Sequence, residues 1–210
     1  MTSARDEILA RLGKVQERRN IPLDEPDLIS PIYHELEGSL DVIFRKNIEL
    51  VSGKVIETDS LATAAGILKN LLKEKKQESL FCADPVLIEA FGDQLNIKSG
   101  ETDFLNLNIG LTRCELLVAH LGSILISSAH SSGRRLNVFP ETHIVLAFKE
   151  QIVDYLENAM EKLQEKYKNN LPSLISTITG PSRTADIEKT LVMGMHGPKD
   201  LIVILTEKSF

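Results

Sequence analysis

Short apolar runs alternate with amphipathic segments of helical period along most of this chain, and that alternation constrains its fold more than any other feature. Lys54-Val55-Ile56-Glu57, Ser79-Leu80-Phe81-Cys82-Ala83, His143-Ile144-Val145-Leu146-Ala147-Phe148 and Leu201-Ile202-Val203-Ile204-Leu205 read as strands. Between the first of these and the N-terminal region, residues 36–51 carry Leu40, Ile43, Phe44 and Leu50 at helical spacing. A second helix, capped by Asp59 or Ser60 and running to about Lys76, turns Ala64, Ile67, Leu68, Leu71 and Leu72 inward. Asp84-Pro85 opens another, with proline near its first position. Helix and strand in regular succession predict an α/β domain on a largely parallel sheet.

The middle of the chain changes character. The apolar runs Glu115–His120 and Ser123–Ser127 flank Gly122. They are too close for a crossover helix, so they predict a hairpin or a sharply bent strand, and the sheet is expected to be mixed. Residues 151–168 form an amphipathic helix with Ile152, Val153, Leu156, Met160 and Leu163 on its apolar face. Leu174–Ile178 reads as a short buried strand. It leads into Gly180-Pro181-Ser182-Arg183-Thr184-Ala185-Asp186-Ile187-Glu188, expected to be a strand-to-helix junction because Ile187, Leu191 and Val192 repeat at helical spacing. A second polar turn, Met195-His196-Gly197-Pro198, precedes the last strand. At the other end, Ser3 can cap a helix through about Arg18, with Asp6 as its capping partner and Ile8, Leu9, Leu12 and Val15 on one face. Pro22, Pro26 and Pro31 mark the linker that follows. The expected organisation is an N-terminal helical arm and linker over 1–31, suited to docking a partner, and a domain over 32–210.

Composition narrows the function classes. The 210 residues carry a net charge of -6, no Trp and 5% aromatics, which argues against a nucleic-acid backbone binder or a base-stacking platform. Two cysteines, Cys82 and Cys114, are too few to ligate an iron–sulfur cluster or a cysteine-rich zinc site, so no cofactor is expected in this chain. They do not make a disulfide framework either, which suits a reducing compartment. The N-terminus lacks the apolar core of a signal peptide, and no apolar run nears the ~18 residues that span a bilayer. A cytoplasmic location is expected.

Three constellations could carry chemistry. In the 180–188 junction, a helix N-terminus with the hydroxyls of Ser182 and Thr184 and the Arg183 guanidinium could hold an anion. Thr184 could equally cap the helix, and Asp186 and Glu188 put negative charge where the anion would sit. The loop from Gly122 to Arg135 offers Ser123, a run of serines around Gly133, and the Arg134–Arg135 pair. It could also be a solvated hairpin tip. His143, near the start of a strand, could face the same sheet edge, and His196 follows the expected helix C-terminus. The anion-binding reading therefore draws on Gly122, Ser123, Arg134, His143, Gly180, Ser182, Arg183, Thr184, Asp186 and His196. No nucleophile elbow, dinucleotide fingerprint, Walker A loop or histidine pair of metal-binding spacing is present. The sequence assigns no catalytic residue.

The pair Gly180–Glu188 and Gly194-Met195-His196-Gly197-Pro198 resembles the C-terminal signature of the LUD-domain family, which includes lactate utilization protein C. Ile109-Gly110-Leu111-Thr112, Gly122-Ser123-Ile124-Leu125, and Gly133-Arg134 through Pro140 and His143 resemble its upstream segments, so the likeness covers roughly residues 50 to 205. Where the family commonly has an acidic residue and a threonine before the middle glycine, this chain has His120 and Leu121. The resemblance implies a three-layer α/β/α fold similar to the NagB/RpiA/CoA-transferase group. It also implies a part in oxidising L-lactate to pyruvate with two partner proteins that carry the iron–sulfur clusters. A non-catalytic assembly role in that system, and a stand-alone enzyme on a nucleotide, CoA ester or sugar phosphate, stay open beside it.

Overall fold

The computed structural model describes residues 3–17, 29, 33, 35–100, 106–168, 170–184 and 191–207. The chain divides into two units, residues 1–35 and 36–210. In the first, helix α1 (Ala4–Glu17) begins with a reciprocal cap. Asp6 N–H donates to Ser3 Oγ at 3.3 Å and Ser3 N–H to Asp6 Oδ2 at 3.2 Å.

In chain order the second unit runs α2 (Leu40–Leu50), β1 (Lys54–Thr58), α3 (Leu61–Glu74), β2 (Leu80–Phe81), α4 (Pro85–Phe91), β3 (Ile97–Lys98), β4 (Ile109–Arg113), β5 (Leu116–Val118) and β6 (Ser123–Ser127). It continues with β7 (Thr142–Phe148), β8 (Ile152–Val153), α5 (Leu156–Tyr167), β9 (Ile175–Ile178), β10 (Arg183–Thr184), β11 (Val192–Met193) and β12 (Asp200–Thr206). Caps fall where hydroxyl and carboxylate side chains allow them. Ser60 Oγ accepts from Thr63 N–H, and Asp84 Oδ1 accepts from Val86 N–H with Pro85 opening α4.

The main sheet has the order β1-β12-β7-β4-β2-β3, and every pair in it is parallel. Alternation along its strands sends residues to two cores. Ile144, Leu146, Ile202 and Ile204 pack with Leu68, Leu72, Leu87 and Phe91 of α3 and α4. Val145, Ala147, Leu201, Val203 and Leu205 pack on the opposite side with Phe44 and Ile48 of α2 and with Leu117, Ile124 and Ile126. The last three belong to a second sheet, β8-β5-β6-β9, whose far side is covered by Ala159 and Leu163 of α5. The result is the three-layer α/β architecture. The expected hairpin is β5–β6, antiparallel with Leu117 opposite Ile124, and it lies in this second sheet rather than in the parallel one.

Three local expectations are corrected. The helix expected from residue 151 begins at Leu156, because Ile152 and Val153 pair in parallel with Leu117 and Val118 and complete the free edge of β5. A short apolar run satisfies either period, and here sheet pairing decides. The strand expected to be buried at 174–178 is an edge strand with Ser176 and Thr177 exposed. Val192, expected on the helix of the strand-to-helix junction, is in a strand instead: Val192–Met193 pairs antiparallel with Arg183–Thr184 as a ribbon. Residues 185–190, including Asp186, Ile187 and Glu188, lie outside the described residues.

The joint between α2 and the second sheet depends on two glycines. Gly122 has φ +61°, and a Cβ there would lie 2.2 Å from Ile48 N. Gly180 has φ +83°, and its Cβ would lie 2.4 Å from Val51 O. Gly122→Ala should therefore cost about 2–4 kcal/mol in urea unfolding, from backbone strain added to the clash. Gly66→Ala, on an exposed turn of α3 with nothing within 4 Å, should stabilise by about 0.5–1 kcal/mol in the same assay.

Candidate functional site

The amino ends of β4, β7 and β12 are stitched together by backbone hydrogen bonds. Thr142 N–H donates to Asn108 O at 2.8 Å and Glu141 N–H to Leu107 O at 3.0 Å. Glu141 O accepts from Lys199 N–H at 2.8 Å and Asp200 N–H at 3.2 Å. Glu141 is thus held from both flanking strands, and its side chain accepts from Lys199 Nζ at 2.7 Å. Glu141 raises the Lys199 pKa by this hydrogen bond and its charge, so the lysine stays cationic. Beside this pair, Lys75 pairs with Asp200, and Asn108 Nδ2 donates to Gln77 Oε1 at 3.0 Å. Above them opens a polar cleft of about 420 Å³, lined by Asn106, Asn108, Glu141, Gly194, Gly197 and Lys199 along with Leu107 and Phe139.

Gly194 and Gly197 of the second polar turn make one wall of the cleft, and Ser182 of the first turn holds that wall by hydrogen bonds. Its N–H donates to Pro198 O at 2.8 Å, and its carbonyl accepts from Gly194 N–H at 2.9 Å. Its hydroxyl accepts from His196 N–H at 3.3 Å. Gly194 has φ +79°, and a Cβ on it would lie 2.2 Å from Lys199 Cγ. The bare Cα therefore lets the lysine stem cross it.

The sequence-predicted residues, Asp186 aside, fall into four groups. Ser182 and His196 meet at this wall, and Arg183 and Thr184 follow in β10. Thr184 pairs with Val192 in the β10–β11 ribbon, the residues after it where the helix was expected lie outside the described residues, and His196 follows a strand. His143 is fully buried near the start of β7, on the face shared with Val145 and α2. Its Nε2 lies 2.8 Å from Thr112 Oγ1, and its Nδ1 has no partner among the described residues. Burial pushes its pKa down to about 4. Gly122, Ser123 and Gly180 belong to the α2 joint, where Ser123 Oγ lies 2.6 Å from Thr179 Oγ1. Arg134 donates to Ser173 Oγ at 2.9 Å. Asp186 is outside the described residues.

Sequence reasoning missed Gln77, Asn108 and Lys199, which lie in loops with no pattern of their own. It also missed Glu115, a fully buried carboxylate that accepts from Lys166 Nζ at 2.7 Å, Tyr167 Oη at 2.6 Å and Ser127 Oγ, with His130 Nε2 at 3.1 Å. Burial alone would raise its pKa, but His130, Lys166, Ser127 and Tyr167 together hold it well below the usual carboxylate range. Its one signal was a charge opening an apolar strand. At the carboxyl ends of β2 and β4, buried Asp84 takes a two-point contact from Arg113, at 2.7 and 3.1 Å. These networks are internally satisfied. The cleft, by contrast, presents the Lys199–Glu141 pair and carboxamides to solvent, with the Lys75–Asp200 pair beside it, a set suited to a small polar molecule with charged and hydrogen-bonding groups.

A family profile for the LUD domain matches residues 87–206. Lactate utilization protein C of Bacillus subtilis (strain 168) is 30% identical over 234 residues, spanning 94% of this chain and 92% of that protein. Lactate utilization protein C of Geobacillus thermodenitrificans is 28% identical, spanning 98% of this chain and 81% of that protein. The crystal structure of a DUF162 family protein from Deinococcus radiodurans has the same fold, with a TM-score of 0.60 at 17% identity, covering 80% of this chain and 96% of that one.

His143 gives the stability a specific pH dependence. Its folded pKa of about 4 lies below the unfolded value near 6.5, so the unfolded chain takes up the proton first as pH falls. The contribution is complete above pH 6.5, is lost between 6.5 and about 4, and is level below that. It amounts to about 3 kcal/mol. Urea midpoints measured from pH 7.5 to 4 should drop through this window, and His143→Leu should flatten that part of the profile.

Proposed function

Since this chain belongs to the LUD domain family, we propose that it serves in L-lactate utilization as a cytoplasmic subunit whose iron–sulfur partner proteins carry the electrons. The observation that carries the reading is the end-to-end likeness to lactate utilization protein C of Bacillus subtilis, over 94% of this chain and 92% of that one. Two further facts fit it. The cysteines lie in opposite cores of the sheet, Cys82 with α3 and α4 and Cys114 with α2, and burial raises their thiol pKa values to about 11 and about 12. Neither is placed to share a cluster with the other, which suits redox centres on partners. Among the described residues, no helix is long and apolar enough to cross a membrane. In this reading the cleft at the amino ends of β4, β7 and β12 binds a small anionic metabolite, with Ser182 holding its wall.

A second reading, a non-catalytic assembly subunit, is favoured by His120. That residue stands where the family commonly has an acid, and its ring meets Tyr155 in a tilted contact, 48° between planes and 5.0 Å between centroids, while its N–H donates to Asp154 O at 3.0 Å. Exposed on the surface, it touches the segment that leads into α5. Deleting the gene should abolish or slow growth on L-lactate and leave growth on glucose intact; unimpaired growth on L-lactate would sink the pathway assignment. Complementation separates the two readings. Asn108→Ala should fail to restore growth if the cleft works on a metabolite, and should restore it fully if the chain only assembles its partners.

A further inference from the structure

The Lys199–Glu141 pair has features that a purely structural ion pair does not need. Both side chains are about half exposed, at 55% and 51%, so the contact is solvent-screened and opens at little cost. Yet both are positioned by backbone. Glu141 is fixed by the hydrogen bonds its carbonyl accepts from Lys199 and Asp200, and Lys199 crosses the Cα of Gly194, where any side chain would displace it. A weakly closed pair on well-anchored stems, facing a cleft of about 420 Å³, is a pair that can open around something else.

Charge selects what that something is. In and beside the cleft, Lys75 and Lys199 balance Asp200 and Glu141. Against this balanced set a phosphate dianion adds two negative charges beside Glu141 and Asp200, and a monocarboxylate only one. A monocarboxylate with a neighbouring donor matches both members of the opened pair, and Asn108 adds a carboxamide at the floor. We infer that Lys199 and Glu141 form the recognition element of the cleft, and that its ligand is a hydroxy acid whose carboxylate meets Lys199 and whose hydroxyl donates to Glu141. This rests on the reading of the cleft as a ligand site. Size adds a bound: at roughly 30 Å³ per heavy atom, a six-atom hydroxy acid fills less than half of the space, so longer hydroxy acids also fit.

The test is titration of the 15N-labelled full chain with L-lactate, propionate and inorganic phosphate, followed at the backbone amides of Gly194 and Gly197. L-lactate should shift these signals saturably, with propionate about tenfold weaker, the equivalent of about 1.4 kcal/mol, and phosphate weaker still. Lys199→Gln should weaken both acids at least tenfold. Glu141→Gln should bring L-lactate and propionate within about twofold of each other. Both side chains are half exposed, so the variants keep the fold, which far-UV circular dichroism checks. Equal affinity of the wild type for L-lactate and propionate, preference for phosphate, or undiminished binding by Lys199→Gln would each overturn the inference. So would the absence of saturation by any of the three, while the growth phenotype of the deletion would still decide the pathway role by itself.

Discussion

Every residue of β7, from Thr142 to Phe148, is buried, and a strand buried on both faces must be covered twice. That requirement organises the rest of the domain. On one face two helices, α3 and α4, suffice. On the other, among the described residues, the covering helix is α2 alone, and a helix about 10 Å across cannot cover six strands spaced about 4.8 Å apart. Val145, Leu201, Val203 and Leu205 would be left partly wet, at about 1.5–3 kcal/mol each, against a total stability of about 5–15 kcal/mol for a domain. The hairpin β5–β6, widened by β8 and β9, fills that gap. The filler sheet then has an outer face of its own, which is why α5 is needed behind it.

Two kinds of cover, a helix and a sheet, must meet edge to edge on one surface, and their joint explains several residues that resemble family motifs. Gly122 and Gly180 lie against the backbone of α2 at separations no side chain tolerates. Asn47 of α2 donates to Ala119 O and His120 O at 2.9 and 3.0 Å, so the hairpin tip is pinned to the helix. Ser123 faces Thr179 across the β6–β9 pair. These positions are architectural. Only two residues beyond Gly180, Ser182 bonds the turn that walls the cleft, so one short stretch supports both the joint and the wall.

Residues whose role comes from period or local turn chemistry were legible in the sequence. The strands β1, β7 and β12, helices α2, α3 and α4, the Ser60 and Asp84 caps and the β5–β6 hairpin all follow from spacing. Ile152–Val153 and Val192–Met193 did not, because two or three apolar residues fit either period and only the neighbouring strand decides. The linkage of the two polar turns was legible as a pair, but not as three hydrogen bonds on Ser182, since that contact joins residues brought together by β12. Lys199 and Glu141 were still less visible. They are 58 residues apart, each in an ordinary turn, and only the parallel register of β7 with β12 sets them side by side. Nothing in the sequence links Glu141 to a lysine.

The position of the cleft also follows from how the other end of the sheet is used. In parallel α/β sheets ligands usually meet the carboxyl ends of the strands, where helix N-termini offer free N–H groups to an anion. Here those donors are partly taken by the chain itself. Ser60 caps α3, and Asp84 caps α4 while binding Arg113 beside the end of β4. Arg113 at that end is paired with a buried carboxylate, and a second buried carboxylate, Glu115, lies just beyond β4. An anion approaching there would meet capped helices and negative charge. At the amino ends no α-helix N-terminus lines the cleft among the described residues, so recognition of an anion must come from side-chain cations. Lys75 and Lys199 are those cations. Of the two, Lys199 lines the large cleft and is held by the more exposed carboxylate, which makes it the one a ligand can engage.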